Sequence, residues 1–231
     1  MKIIKYIIII SLLFVGCATQ NQNTKLDFFP DIYNELPKSI LVLPPINKST
    51  SADATEYYST TIAEPLSFAG YYVYPIEIRK EVLKSEGIYD ASLLKDIPMA
   101  KFQEYFGADA VLFTEIIEWD KSFYVIGGNV EVNLEFVLKS TKTEKTLWSY
   151  KGNIKVDTTS GDSEVPGLAG FLLEAAITAV QTAAQDYVPI AKKINVQALS
   201  TIPYGYYHVK FNQDQAMMIT IRPDGSLYIA Q

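Results

Sequence analysis

Apolar and polar positions follow three different rhythms along this chain. Residues 39–45 (SILVLPP) form a short continuous apolar run stopped by prolines, the pattern of a strand covered on both faces. A polar loop over 47–51 follows, and Ser51 or Asp53 can cap a helix over 54–68 that Pro65 should kink or end. Gly70 introduces and Pro75 stops the next strand, 71–75 (YYVYP). Strand, helix and strand in so short a space make a βαβ unit, for which a right-handed crossover and a parallel pair are the default. Residues 76–106 read as helical with interruptions at Gly87 and Pro98, leaving 91–94 and 99–106 as pieces. Gly107 resets the chain for a third strand over 109–117.

From there the period shortens to two. Val130, Val132, Leu134, Phe136 and Leu138 alternate with Glu131, Asn133, Glu135 and Val137, which predicts a strand with one wet face. Gly127-Gly128 supplies a turn before it and residues 141–144 a turn after it. Trp148, Tyr150, Ile154 and Val156 continue the alternation on the returning strand. A polar loop over 157–165 leads to Pro166-Gly167 and a helix over 168–187, in which Glu174 is the only charge before Asp186. Pro189 breaks or bends that helix, and 191–199 adds another turn or two. The tail carries 203–208 (PYGYYH), then 217–221 and 226–230 around Arg222-Pro223-Asp224-Gly225, a terminal hairpin by its turn residues. The predicted fold class is α/β: a mixed sheet with a βαβ start and a long-stranded antiparallel meander, helices packed on the sheet, and a C-terminal hairpin tail.

The first seventeen residues have a separate logic. Lys2 and Lys5 form a short basic region, 6–15 is almost wholly apolar, and Gly16 precedes Cys17, the only cysteine in the chain. A bilayer span takes about 20 apolar residues, so this run is short for one and right for a secretory signal. The end of it, Phe14-Val15-Gly16-Cys17, resembles the lipobox at which bacterial lipoprotein precursors are acylated on the cysteine thiol and cut before it. Two anchoring signals suffice for stable attachment, so an acylated Cys17 would hold the protein at a membrane. Ala18 stands where an aspartate usually retains such proteins in the inner membrane, which by the same resemblance implies the outer membrane. The expected organisation is a signal peptide over 1–16, a lipidated tether and surface segment over 17–37, an α/β domain over 38–200, and an extension with the hairpin over 201–231.

Composition narrows the partners. A net charge of −6 and a pI near 4.9, with no basic stripe, argue against nucleic acid, whose phosphates need clustered Lys and Arg. A hydrophobic fraction of 48% is ample for a core, so disorder is not expected for the chain as a whole. With Cys17 consumed by lipid, no disulfide is available.

Catalytic chemistry has few places to reside. His208 is the sole histidine, so a Ser-His-Asp triad would have to use it and multi-imidazole metal sites are excluded; a structural or surface role suits its tyrosine-rich neighbourhood better. Gly-rich phosphate cradles are absent, and no cofactor is expected. Glu115, Glu118 and Asp120, and separately Asp157, Asp162 and Glu164, could supply a carboxylate pair for glycoside hydrolysis, though acidic stretches of this kind are ordinarily solvated surface. The loop 157–164 also matches a calcium loop poorly. The small residues Ala175, Ala176 and Ala179 suit a core helix or a close subunit interface better than a membrane span, which would have to bury Glu174. Tyr204, Tyr206 and Tyr207 are candidates for a recognition patch, since tyrosine is enriched at interfaces.

Cys17, residues 40–49 (ILVLPPINKS), 107–112 (GADAVL) and 203–208 (PYGYYH) together resemble a family of bacterial lipoproteins that includes a meningococcal surface-antigen candidate. The strand followed by Pro-Pro-x-Asn-x-Ser is also similar to the start of CsgG-type secretion lipoproteins and of the TolB amino-terminal domain, which implies a fold of that kind. Members are often encoded beside a CsgG-like lipoprotein and a second small lipoprotein, which implies a shared envelope assembly; the family offers no catalytic residues to carry over. Phe14 in the lipobox and the long terminal hairpin depart from its pattern. The expected function is therefore a non-enzymatic outer-membrane lipoprotein facing the periplasm, an accessory or assembly subunit of a CsgG-like envelope or secretion complex. The membrane and those lipoproteins are its partners, with a homo-oligomer as a further expectation. The alternative is a periplasmic lipoprotein that holds a glycan or other small ligand on its aromatic residues.

Overall fold

Prolines, glycines and a change of hydrophobic period partition the chain, and the computed structural model follows that partition closely. It describes residues 23–89, 91–124, 127–157 and 188–229, with backbone alone for 121–124, 127–129 and 157. In chain order the elements are β1 (Asn23–Thr24), α1 (Lys25–Phe28), α2 (Pro30–Glu35), β2 (Ser39–Val42), β3 (Ile46–Asn47), α3 (Ala54–Thr61), α4 (Ala63–Phe68), β4 (Tyr72–Val73) and α5 (Ile76–Ser85). A 3-10 segment (Ala91–Asp96), α6 (Met99–Phe106), β5 (Ala110–Tyr124), β6 (Gly127–Ser140), β7 (Thr146–Asp157), α7 (Val188–Ala198), β8 (Met218–Ile221) and β9 (Leu227–Ile229) complete them.

The main sheet runs β4-β2-β5-β6-β7, with β3 attached to β5, and a second small sheet runs β1-β8-β9. β2 pairs in parallel with both β4 and β5, which is the expected βαβ start. β5, β6 and β7 pair antiparallel, which is the expected meander. The apolar run of β2 is covered on both sides: Ile40 and Val42 enter the larger core, Leu41 and Leu43 a smaller one beneath the α5–α6 layer with Leu83, Met99 and Phe102. Along β6 the alternation holds residue by residue, with Val130, Val132, Leu134, Phe136 and Leu138 almost wholly buried. Among the described residues, the opposite face of the meander carries ion pairs, Lys151 with Glu135 and Lys48 with Glu115.

Several expectations change. The helix over 54–68 breaks at Ile62 rather than at Pro65, because Pro65 falls in the first turn of α4, where an amide has no partner within the helix to lose. β5 continues past residue 117 to Tyr124, and Gly127 and Gly128 lie inside β6, paired with Tyr124 and Phe123, instead of forming the turn. A ladder that long is permitted by a bulge: the register shifts between Ile116 and Glu118, so that Ile116 and Trp119, three residues apart, both face the core. A second shift after Leu138 buries both Leu147 and Trp148.

The largest correction concerns the segment 25–37, expected to lie along the surface below a free tether. Thr24 caps α1 in a capping box with Asp27, and Phe29, Ile32 and Tyr33 are buried in the main core, with Phe29 against Trp148 at 6.4 Å between ring centroids. Burial of an aromatic or aliphatic side chain of this size contributes about 1.5–3 kcal/mol, which a surface position would forfeit. Asn23 and Thr24, read as tether, pair with Ile219 and Met218 of β8. The hairpin at 218–229 forms as expected, and Ile219 joins the same core.

Candidate functional site

The stretch between the last helical turn and β8 gathers most of the chain's unusual chemistry. Trp148 donates its indole N–H to Thr201 Oγ1 at 3.2 Å, which fixes the point where the chain leaves the core. From Ile202 to Met217 there is no regular element, so the backbone must be held by specific contacts. Two glycines provide one of them. The Gly205 N–H donates to the Ala69 carbonyl and the Tyr207 N–H to the Gly70 carbonyl, at 2.8 and 3.0 Å. A Cβ on Gly205 would lie 2.5 Å from the Gly70 oxygen, and one on Gly70, whose φ is +91°, would lie 2.4 Å from the His208 nitrogen. Only glycine allows the loop to close on the strand entry at this distance.

The other contact is a buried ion pair. Lys25 Nζ donates to Asp214 Oδ2 at 2.9 Å and to the Ile202 carbonyl at 3.0 Å, and both side chains are 1% exposed. Asp214 also accepts from the Tyr204 N–H through Oδ2 at 2.9 Å and from the Tyr33 hydroxyl through Oδ1 at 3.1 Å. Burial lowers the Lys25 pKa, against the opposing pull of the Asp214 charge. Burial raises the Tyr33 and Tyr204 hydroxyls, and the same carboxylate adds to the effect. Among the described residues each polar partner of the Asp214 side chain is a donor, which satisfies a carboxyl group at this depth.

Held at both ends, the loop turns aromatic rings outward. Tyr204 stacks on His208 at 3.8 Å between centroids, and His208 Nδ1 accepts the Lys210 N–H at 3.0 Å. Burial pushes the imidazole pKa below 6.5, so the ring is held neutral at pH 7, in keeping with the structural role read from the sequence. Tyr206 packs edge-on against Tyr207 and Phe211, with Lys38 Nζ 4.2 Å from its ring centre. Tyr206, Tyr207 and Val209 remain 45%, 63% and 89% exposed. Tyr72, also exposed, lies on β4, the edge strand that follows Gly70.

Of the residues singled out by sequence, the structure therefore brings Tyr204, Tyr206 and Tyr207 together and gives them unequal roles. Tyr204 is internal to the loop, and Tyr206 and Tyr207 face solvent. Cys17, Ala175, Ala176, Ala179, Asp162 and Glu164 lie outside the described residues, as does the helix expected over 168–187. Glu118 and Asp120 project together from the exposed side of β5, where a hydrogen bond shared with Asp120 raises the Glu118 pKa. Glu115 is paired with Lys48. Among the described residues no group of three or more His, Cys, Asp or Glu is placed to hold a metal ion, and no helix is long and apolar enough to cross a membrane. A cleft of about 240 Å³ opens where the helical layer ends, floored by Leu43, Met99, Phe113 and Val137. Its rim carboxylates, Glu115 and Glu135, already have lysine partners.

Sequence reasoning passed over Lys25, Tyr33 and Asp214, read Gly70 only as the start of a strand, and quoted Gly205 only within a motif. Lys25 and Asp214 are 189 residues apart and carried no local signal. Gly205 did carry one, since a glycine set among tyrosines marks a close backbone approach.

The chain is 31% identical over 150 residues to "Putative lipoprotein NMB1124/NMB1162" of Neisseria meningitidis serogroup B, an alignment covering 65% of this chain and 68% of that protein. Among solved structures it is similar to lipoprotein GNA1162 from N. meningitidis, at 32% identity and a TM-score of 0.49, covering 63% of this chain and 99% of the other. It is also similar to PelC from Paraburkholderia phytofirmans, at 16% identity and a TM-score of 0.43, covering 73% and 88%. The family model "Putative lipoprotein GNA1162-like" matches residues 29–208, a stretch that opens at Phe29 in the core and closes at His208 in the tyrosine loop, before Asp214 and the hairpin. On that match the chain belongs to the GNA1162-like lipoprotein family.

Proposed function

We propose that this protein is a lipid-anchored, non-enzymatic subunit of an envelope assembly, held at the periplasmic face of the outer membrane through Cys17 and docking other proteins on the tyrosine loop. The observation that carries the reading is the exposure of Tyr206, Tyr207 and Val209 on a loop whose backbone is locked by Gly70, Gly205 and the Lys25–Asp214 pair. Exposed aromatic rings are expensive to leave in water and are the side chains that most often dominate binding energy at interfaces. A rigid loop loses little further freedom on docking, so more of the contact energy appears as affinity. Anchoring adds to this by confining the protein to the surface where its partners lie. The family resemblance points to a CsgG-like lipoprotein and a second small lipoprotein as those partners, with a second copy of this chain as another.

The test is co-purification from detergent-solubilised outer membrane. The Tyr206→Ala/Tyr207→Ala protein should remain folded and membrane-bound and lose the proteins that accompany the unaltered chain. The Cys17→Ser protein should lose the membrane as well. Retention of the same partners by the tyrosine variant would refute the docking surface, and turnover of any substrate by the purified protein would refute the non-enzymatic reading.

A further inference from the structure

The small sheet constrains how the protein sits on the bilayer. β1 is antiparallel to β8, with Thr24 opposite Met218 and Asn23 opposite Ile219. Followed backwards from Thr24 to Asn23, the chain therefore runs towards Ile221 and the turn at 222–225. Only residues 18–22 separate Asn23 from Cys17. At ~3.3–3.6 Å per residue, Cys17 cannot lie more than roughly 20 Å from Asn23, even with the tether fully drawn out. Ile221 is two residues beyond the partner of Asn23, about 7 Å along β8. A lipid on Cys17 thus keeps the bilayer within a short tether of this end of the β8–β9 hairpin.

The side chains at that end suit such a surface. Ile221 is 54% exposed, although Ile219, two residues back on the same face of β8, is buried. Beside it the Arg222 guanidinium lies 4.7 Å from the centre of the Tyr228 ring. An exposed aliphatic residue on one face of the hairpin end, and a cation with a tyrosine on the other, match the apolar, charged and amphipathic depths of a lipid headgroup layer. The exposed tyrosines stand elsewhere: their loop bonds to Ala69 and Gly70 at the entry of β4, whereas β9 packs on β7, and β4 and β7 are opposite margins of the main sheet.

We infer that the tip of the β8–β9 hairpin, with Ile221, Arg222 and Tyr228, rests against the lipid headgroups and leaves the tyrosine loop free for protein partners. This rests on the anchor at Cys17. The lipidated full chain, reconstituted in phosphatidylethanolamine and phosphatidylglycerol vesicles that carry a headgroup nitroxide, would bear a fluorophore on Ile221→Cys or on Val209→Cys. Acylated Cys17 does not compete for the label. Quenching should be several-fold stronger at 221 than at 209, and should fall to the level at 209 when a flexible Gly/Ser segment of about 20 residues is inserted between Ala18 and Asn23. Equal quenching at the two sites, or stronger quenching at 209, would overturn the orientation while leaving the anchor intact. A chain that fails to float with the vesicles and carries no lipid mass on Cys17 would overturn both.

Discussion

Replacing Asp214 with alanine should cost more than any other single polar substitution in the tyrosine loop. The change removes an acceptor used by Lys25, Tyr33 and the Tyr204 N–H, and leaves the Lys25 ammonium at 1% exposure with the Ile202 carbonyl as its only strong partner among the bonds described. Breaking a buried pair by deleting one member costs about 3–5 kcal/mol. An independent ceiling comes from letting the lysine shed its proton: from its ordinary value of 10.5 down to pH 7, at 1.36 kcal/mol per unit, that costs about 5 kcal/mol. The two figures agree, so the loss is set by how cheaply the stranded charge is relieved. In a domain of this size it should appear as a fall in Tm of roughly 6–20 °C. Removing both charges in Lys25→Met/Asp214→Ala should restore part of the loss, because no ion is then left without a counter-charge while the Tyr33 hydroxyl and the Tyr204 N–H still lack their acceptor. Thermal unfolding of the two single variants and the double closes the cycle. A cost below about 1 kcal/mol for Asp214→Ala, or strict additivity in the double variant, would refute the claim that this pair holds the loop.

Gly205→Ala would place a methyl group 2.5 Å from the Gly70 oxygen, and should destabilise by about 1–3 kcal/mol while speeding hydrogen exchange at the Gly70-bonded amide of Tyr207 before the β5–β6 ladder is affected. His208 is the sole histidine, so its ring protons can be followed by NMR without assignment, and the midpoint should fall below 6.5. The unfolded chain then binds the proton more readily than the folded one, so stability declines as pH drops from 6.5 towards the folded value; a midpoint at or above 6.5 would contradict the stacked, partly buried ring. Asp109 is opposed by burial but held below the ordinary carboxylate value of 3.8 by the Lys38 N–H, Lys142 and Ser39. Its contribution is complete above that value and is lost as pH falls through the folded pKa, so acid unfolding of Asp109→Asn should show a shallower pH dependence.

Legibility varied with the distance between partners. The covered strand that opens at Ser39, the alternation of β6 and the turn residues of the terminal hairpin are local patterns, and each formed, although β2 ends at Val42, short of the prolines. The two bulges were not legible, because a one-residue shift beside Ile116 or Leu138 depends on both strands at once. The segment 25–37 was misplaced for a similar reason. Its short helices have weak periodicity, and Trp148, against which Phe29 packs in the core, lies more than a hundred residues on.

Local order of apolar, polar and turn-forming residues was enough to determine the α/β class, the parallel start and the meander. Tyr206 and Tyr207 could be named from sequence, but whether they faced water could not. That was decided by Lys25 meeting Asp214 and by Gly70 meeting Gly205, contacts across 189 and 135 residues of chain. A buried charge or an omitted side chain has no meaning until the partner it faces is in place, and only folding supplies the partner.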